Sequence, residues 1–219
     1  AARMEAILTR VLPVEPDVLL LQEVTGPMYT QLCRSLPDWK IYRRKQVTED
    51  YFNVTVMRYG AEKTTTSQYT QTANGRHVVK TRRSGWTILN THAESGSHVL
   101  ERDARESQMI HLSRSHELED GDQLCVIAGD LNLRSGEDSA LRREGWRDAW
   151  QSPQGATGWT WRRGNNSARY DRVFLHDACD GVSVECKHFA RLIAVWPTLT
   201  DHVALHVILS ATGQRACAL

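Results

Sequence analysis

Leu124-Cys125-Val126-Ile127-Ala128-Gly129-Asp130-Leu131-Asn132 opens as five apolar residues and ends in a glycine, a carboxylate and an amide. The apolar part is too short for an ordinary helix and does not alternate, so it predicts a strand buried on both faces. Asp17-Val18-Leu19-Leu20-Leu21 predicts a second such strand, with Gln22 and Glu23 at its C-terminal end. Between and around these runs the periodicity is mixed. Residues 2–12 place Met4, Ile7, Leu8, Val11 and Leu12 on one helical face, and Pro13 and Pro16 end that helix. Pro27 can open a helix through Leu36, and residues 101–118 predict a long polar helix carrying Met109, Ile110 and Leu112. Residues 51–58, 86–91, 170–175, 182–187 and 202–209 predict further strands, the last apolar on both faces and so covered on both sides. Residues 62–74 read as an edge strand and loop, and 155–169 as a surface loop.

The chain has 219 residues, 41% of them hydrophobic and 24% charged, which suits one folded domain. Neither polar stretch is long enough to divide it, so residues 1–219 are read as a single catalytic domain. A net charge of +1 gives no global attraction for nucleic acid, so any such binding must come from local basic residues. Five cysteines, Cys33, Cys125, Cys179, Cys186 and Cys217, are odd in number and widely spaced, which argues against a disulfide framework and a zinc ribbon. Cys179, Cys186 and His188 are neighbours in sequence and read as part of a strand with buried thiols. No apolar run approaches the roughly 20 residues of a membrane span, and a nuclear or cytoplasmic location is expected. No phosphate-binding glycine loop, dinucleotide fingerprint or serine-nucleophile motif is present.

Polar residues recur where apolar strands end or begin: Glu23, His92 with Glu94, Asp130 with Asn132, Asp171, and Asp201 with His202. Each alone is explained as a turn residue or cap. Together they form a set of acid/base and metal-ligand side chains that strand ends in a two-sheet sandwich can bring to one pocket. Oxygen ligands of this kind suit Mg²⁺ or Mn²⁺. Asp130 could take a proton from an attacking water, with Asn132 holding that water or a phosphate oxygen, and His202 could donate to a non-bridging oxygen as charge develops. A carboxylate behind such a histidine fixes its tautomer, and Asp171 and Asp201 are the two candidates.

The order Leu21-Gln22-Glu23, Thr91-His92-x-Glu94-Ser95, Arg105-x-x-Gln108, Gly129-Asp130-x-Asn132, Asp171-Arg172 and Thr200-Asp201-His202 resembles the endonuclease/exonuclease/phosphatase superfamily across nearly the whole chain. The resemblance implies a four-layered α/β sandwich, two mixed β-sheets flanked by helices, and Mg²⁺-dependent hydrolysis of phosphate esters. It implies that Glu23 is a metal ligand, with Asp201 as a second candidate. Asp130 then acts on the water, Asn132 aids positioning, His202 contacts the scissile phosphate and Asp171 orients His202.

Finer features resemble the tyrosyl-DNA phosphodiesterase branch, which cleaves a tyrosine-linked topoisomerase remnant from a DNA 5′ end. They are the run through Leu133 to Arg134, Glu49-Asp50-Tyr51-Phe52, Thr160-Trp161 and Tyr170-Asp171-Arg172. The resemblance implies substrate contacts from His92, Glu94, Arg105, Arg134, Tyr51, Trp161 and Tyr170, and a DNA partner single-stranded near its adducted end, bound by a monomer. Unpaired bases stack on aromatic faces, which suits Tyr51, Trp161 and Tyr170. The sequence departs from the family in two places. The family's opening strand, with its Asn and nearby acidic residue, is expected to be missing, so that either the sequence is a truncated fragment or its metal site is incomplete. The Arg after the His-x-Glu-Ser element is replaced by Ser97, leaving Arg102 or Arg105 to substitute. Another nuclease or phosphodiesterase of the superfamily, such as a deadenylase or an abasic endonuclease, and a silent nucleic-acid-binding homologue are the alternatives.

Overall fold

A computed structural model describes residues 2–45, 50–116, 124–150, 158–177, 182–192 and 199–212. In chain order the elements are α1 (Ala2–Val11), β1 (Val18–Thr25), α2 (Gly26–Ser35), β2 (Lys40–Arg43), β3 (Tyr51–Met57), β4 (Lys63–Gln68), β5 (His77–Arg83), β6 (Trp86–Thr91) and α3 (Val99–Ser113). They continue with β7 (Leu124–Asp130), α4 (Ser139–Arg143), β8 (Arg147–Asp148), β9 (Trp161–Arg163), β10 (Asn166–Ala168), β11 (Asp171–Asp177), β12 (Ser183–Leu192) and β13 (Ala204–Thr212).

The apolar run at 124–128 becomes β7, inside a sheet ordered β4-β5-β6-β7-β11-β8. Its continuous hydrophobicity has a direct cause. Cys125 and Ile127 face one core with Met109 and Leu112 of α3 and Leu141 of α4. Leu124, Val126 and Ala128 face a second core shared with β12 and β13. β11 divides in the same way, with Phe174 on the helix side and Val173 and Leu175 between the sheets. A third core joins Met4, Leu8 and Val11 of α1 and Leu32 of α2 to Val54 and Val56 of β3. The layers are helix, sheet, sheet, helix, as the resemblance implies.

A second sheet runs β1-β3-β2, and β12 pairs with β13. Where this layer meets the larger sheet near the site, the join is polar. Asn90 on β6 donates to the Val54 carbonyl at 2.9 Å and accepts from Gln22 on β1 at 2.7 Å. Asn53 donates to the His77 carbonyl at 2.9 Å. Such buried bonds hold the end of β1, with Glu23, in register beside the end of β6.

Two expectations change. β13 is half-exposed along its length, with Ile208 48% exposed, because its inward face alone packs on a core. The stretch read as a surface loop at 155–169 contains the hairpin β9–β10, its first residues lying outside the described ones. β5 was not read as a strand because His77, Lys80, Arg82 and Arg83 break its apolar pattern. Glu49, Cys179 and Cys217 lie outside the described residues. No helix among the described residues is long and apolar enough to cross a membrane.

Candidate active site

β7 and β11 are antiparallel, and their register sets Asp130 opposite Asp171. β6 runs parallel to β7, and beyond its last pair Ala93 donates its N–H to the Asp130 carbonyl at 2.9 Å. This close approach needs Gly129, whose φ is +143° and where a Cβ would meet the Thr91 carbonyl at 1.9 Å. The glycine of the Gly-Asp-x-Asn run therefore lets His92 come alongside Asp130. Asn132 turns the chain with φ +51°, a conformation that asparagine tolerates, and its N–H bonds Asp130 Oδ1 at 3.0 Å. Its side-chain amide donates to the Ala93 carbonyl at 3.3 Å, so Asn132 clasps both strand ends.

Two imidazoles flank the other Asp130 oxygen. His202 Nε2 lies 3.7 Å from Oδ2 and His92 Nε2 lies 3.4 Å from it. His202 donates its Nδ1 proton to Asp171 at 2.7 Å. Asp201 instead accepts the Trp161 indole N–H at 2.9 Å. On the other side Arg76 donates to His92 Nδ1 at 2.7 Å. Arginine is only a donor, so the His92 proton sits on Nε2, toward Asp130.

The electrostatics follow from this packing. Burial, helped by the Asp171 charge, raises the Asp130 pKa to about 7 against the pull of His202, the Asn132 N–H and Arg76. Burial opposes a charge on His202, but the Asp171 bond and the charges of Asp171, Asp130 and Asp201 outweigh it and raise its pKa to about 9. Burial, then the charges of Arg76, His202 and His77, holds His92 well below its usual value. Near neutral pH the site thus has a protonated His202, a neutral His92 and an Asp130 poised to exchange a proton.

The aromatic residues gather on the His202 side. The Trp161 and Tyr170 rings stand 5.4 Å apart at 40°, and the Arg134 guanidinium lies 5.4 Å from the Tyr170 ring centre. Arg134 also folds back to donate to the Asn132 carbonyl. Tyr51 heads β3 on the other side, with the Arg76 guanidinium 5.6 Å from its ring centre.

Two expected substrate contacts are committed inside the protein. Glu94 is 1% exposed, and its carboxylate accepts Thr72 Oγ1 at 2.8 Å, the Ala73 N–H at 3.1 Å and the Asn74 amide. Arg105, also 1% exposed, forks onto Glu137 at 2.9 and 3.0 Å and donates to the Glu94 and Gly96 carbonyls. Both build the walls of the site. Nor does Arg105 or exposed Arg102 replace the cation missing at Ser97; buried Arg76 stands beside His92 instead. The sequence reading missed Arg76. Its signal was modest: a basic residue after Gly75, which takes φ +65°, two residues before the apolar pair Val78-Val79.

Glu23 sits in a bulge of β1 with φ +55°, its side chain exposed. Among the described residues no group of three or more His, Cys, Asp or Glu side chains is arranged to hold a metal ion. A single exposed carboxylate on a strained backbone does suit Mg²⁺, which takes one or two carboxylates and completes its shell with water and phosphate. It does not suit zinc. Asp201 is exposed, and one of its carboxylate oxygens accepts the Trp161 indole N–H.

The profile of the Endonuclease/Exonuclease/phosphatase family matches residues 1–202. A 5′-tyrosyl-DNA phosphodiesterase of Caenorhabditis briggsae is 30% identical, covering 96% of this chain and 65% of that protein. The one from Caenorhabditis elegans is 26% identical, covering 95% and 62%. The chain thus spans less than two thirds of either curated relative. Among solved structures, D. rerio TDP2 complexed with single strand DNA product superposes with a TM-score of 0.82 at 19% identity, covering 95% of this chain and 91% of that one.

Proposed function

The chain belongs to the endonuclease/exonuclease/phosphatase family, and from that membership we propose that it hydrolyses phosphodiesters, with the 5′-phosphotyrosyl linkage at a DNA end as its substrate. The observation that carries the reading is the position of Asp130 between His202, backed by Asp171, and His92, backed by Arg76. Asp130 takes the proton of the attacking water, its raised pKa placing proton transfer near neutral pH. Asn132 holds the water's position. Protonated His202 donates from Nε2 to a phosphoryl oxygen as negative charge grows, and Asp171 keeps the imidazole in the required tautomer. Neutral His92 donates from Nε2 without adding a charge, while Arg76 supplies a buried cation beside the leaving side.

Glu23 would hold a Mg²⁺ ion, which when bound polarises the phosphate and steadies the departing oxygen. Trp161, Tyr170 and Arg134 offer stacking faces and a guanidinium to an unpaired DNA end. The two worm relatives and the DNA-bound fish structure support this substrate. The test is hydrolysis of an oligonucleotide panel carrying a 5′-tyrosyl, an abasic site, a 3′-phosphate or an adenosine tail, with Mg²⁺ and with EDTA. Mg²⁺-dependent release of tyrosine, at least about tenfold faster than the other reactions, is expected. Preference for another substrate would move the protein to another activity of its family, and no hydrolysis would favour a binding role.

A further inference from the structure

Asp171 and His202 meet from elements 31 residues apart in the chain, one heading β11 and the other just before β13. Their 2.7 Å bond requires two separate strand ends to stand at fixed height. Thr160 is where those ends are tied. It is 1% exposed. Its hydroxyl oxygen accepts the Asp171 N–H at 2.9 Å. Its carbonyl accepts the Val203 N–H at 2.7 Å, next to His202, and its own N–H donates to the Ala168 carbonyl at 2.9 Å. The tie continues into β9, where Trp161 bridges to His202 and the Arg162 N–H donates to the Asp201 carbonyl at 3.0 Å.

We propose that Thr160 is a positioning residue, whose hydroxyl holds the Asp171 backbone while its carbonyl holds the strand of His202, so that it sets the contact between the two. The inference rests on the reading of this pair as catalytic. The side chain suits the task. A β-branched residue is stiff at χ1, so the oxygen is aimed before the bond forms. Valine has the same shape but offers the Asp171 N–H no acceptor, so that N–H must move or seek water. Backbone displacement of Asp171 carries its carboxylate with it, and catalysis is sensitive to shifts of an ångström or less.

The test compares Thr160→Val and Thr160→Ser, each alone and combined with Asp171→Asn. Kinetics use a 5′-tyrosyl oligonucleotide, and the low-field proton resonance of His202 Nδ1 is followed in parallel. Thr160→Val should lower kcat at least about tenfold with KM within about twofold, and Thr160→Ser should stay within about threefold of the parent. On the Asp171→Asn background Thr160→Val should add less than about twofold, because it acts through Asp171. The His202 resonance should shift or broaden in Thr160→Val and persist in Thr160→Ser. If Thr160→Val does not unfold cooperatively, Thr160→Ala replaces it, since it also removes the acceptor and leaves the backbone bonds. Parent-like kcat and resonance, or a loss that persists undiminished with Asp171→Asn, would overturn the proposal. If the parent hydrolyses nothing, the phosphodiesterase reading fails, and the resonance still decides the role of Thr160.

Discussion

The imidazole of His202 spans two carboxylates: it gives its Nδ1 proton to Asp171 at 2.7 Å, and its Nε2 stands 3.7 Å from Asp130. Those carboxylates are paired across β7 and β11, so each raises the energy of the other's charge, and the imidazolium relieves both. The ionisations of Asp130 and His202 are therefore linked.

That coupling sets the pH dependence. kcat/KM should rise as Asp130 ionises near 7 and fall as His202 loses its proton near 9. Asp171→Asn removes the charge that raises both groups, so both limbs should move to lower pH. Stability carries the same signs. The raised His202 pKa stabilises the fold fully below about pH 6.5 and is lost as pH passes about 9. Asp130, also raised, weakens the fold as pH climbs from 3.8 to about 7. Denaturation at pH 6 and 9.5 should show the more stable protein at pH 6; a flat profile would contradict the assignment.

Asp130→Asn should lose roughly 10²- to 10⁴-fold in kcat, the usual contribution of a general base. Its melting temperature at pH 8 should not fall, because the replaced charge is buried beside another carboxylate. Asn132 loses an acceptor for its N–H only if the new amide turns its nitrogen inward. Activity within a few-fold of the parent would give the water to another residue.

Mg²⁺ should bind weakly to the protein alone and more tightly with a product oligonucleotide, since Glu23 offers one carboxylate and a phosphate must complete the shell. Calorimetry with and without the oligonucleotide checks this. Glu23→Gln should abolish the difference and match the effect of EDTA on hydrolysis. Equal Mg²⁺ affinity in Glu23→Gln would place the ion elsewhere.

Trp161→Ala should weaken turnover of a 5′-tyrosyl oligonucleotide by about 1–3 kcal/mol, the range for one stacked base, and spare a small aryl phosphodiester. The ring also packs on Tyr170 and its N–H reaches Asp201, so a lowered melting temperature is expected. Trp161→Phe separates the two roles: it keeps a ring for stacking and drops the Asp201 bond. Equal losses on both substrates in Trp161→Ala would make the residue a packing element.

The strand at 18–25, the buried strand at 124–130, the helices after Pro27 and before Pro13, and the set Asp130, Asn132, Asp171 and His202 were all legible in the chain. These features are written locally, because a strand covered on both faces must be apolar throughout and a turn beside a ligand needs particular residues. Gly129 is the clearest example, as the residue that a close approach to the Thr91 carbonyl demands.

Tertiary structure alone decided which polar residues face the cleft. Glu94 and Arg105 have the chemistry of site residues, yet each is buried and engaged by partners distant in sequence: the 72–74 loop and Glu137. Arg76 was hidden because its meaning lies in contacts with His92, Ser95 and Tyr51, each 16 or more residues away. Local periodicity records how much of a side chain is buried, but a hydrogen-bond partner tens of residues away leaves no trace in spacing. The chain could therefore announce that a carboxylate ends β7, while only folding could settle which histidines reach it and which neighbours set their charges.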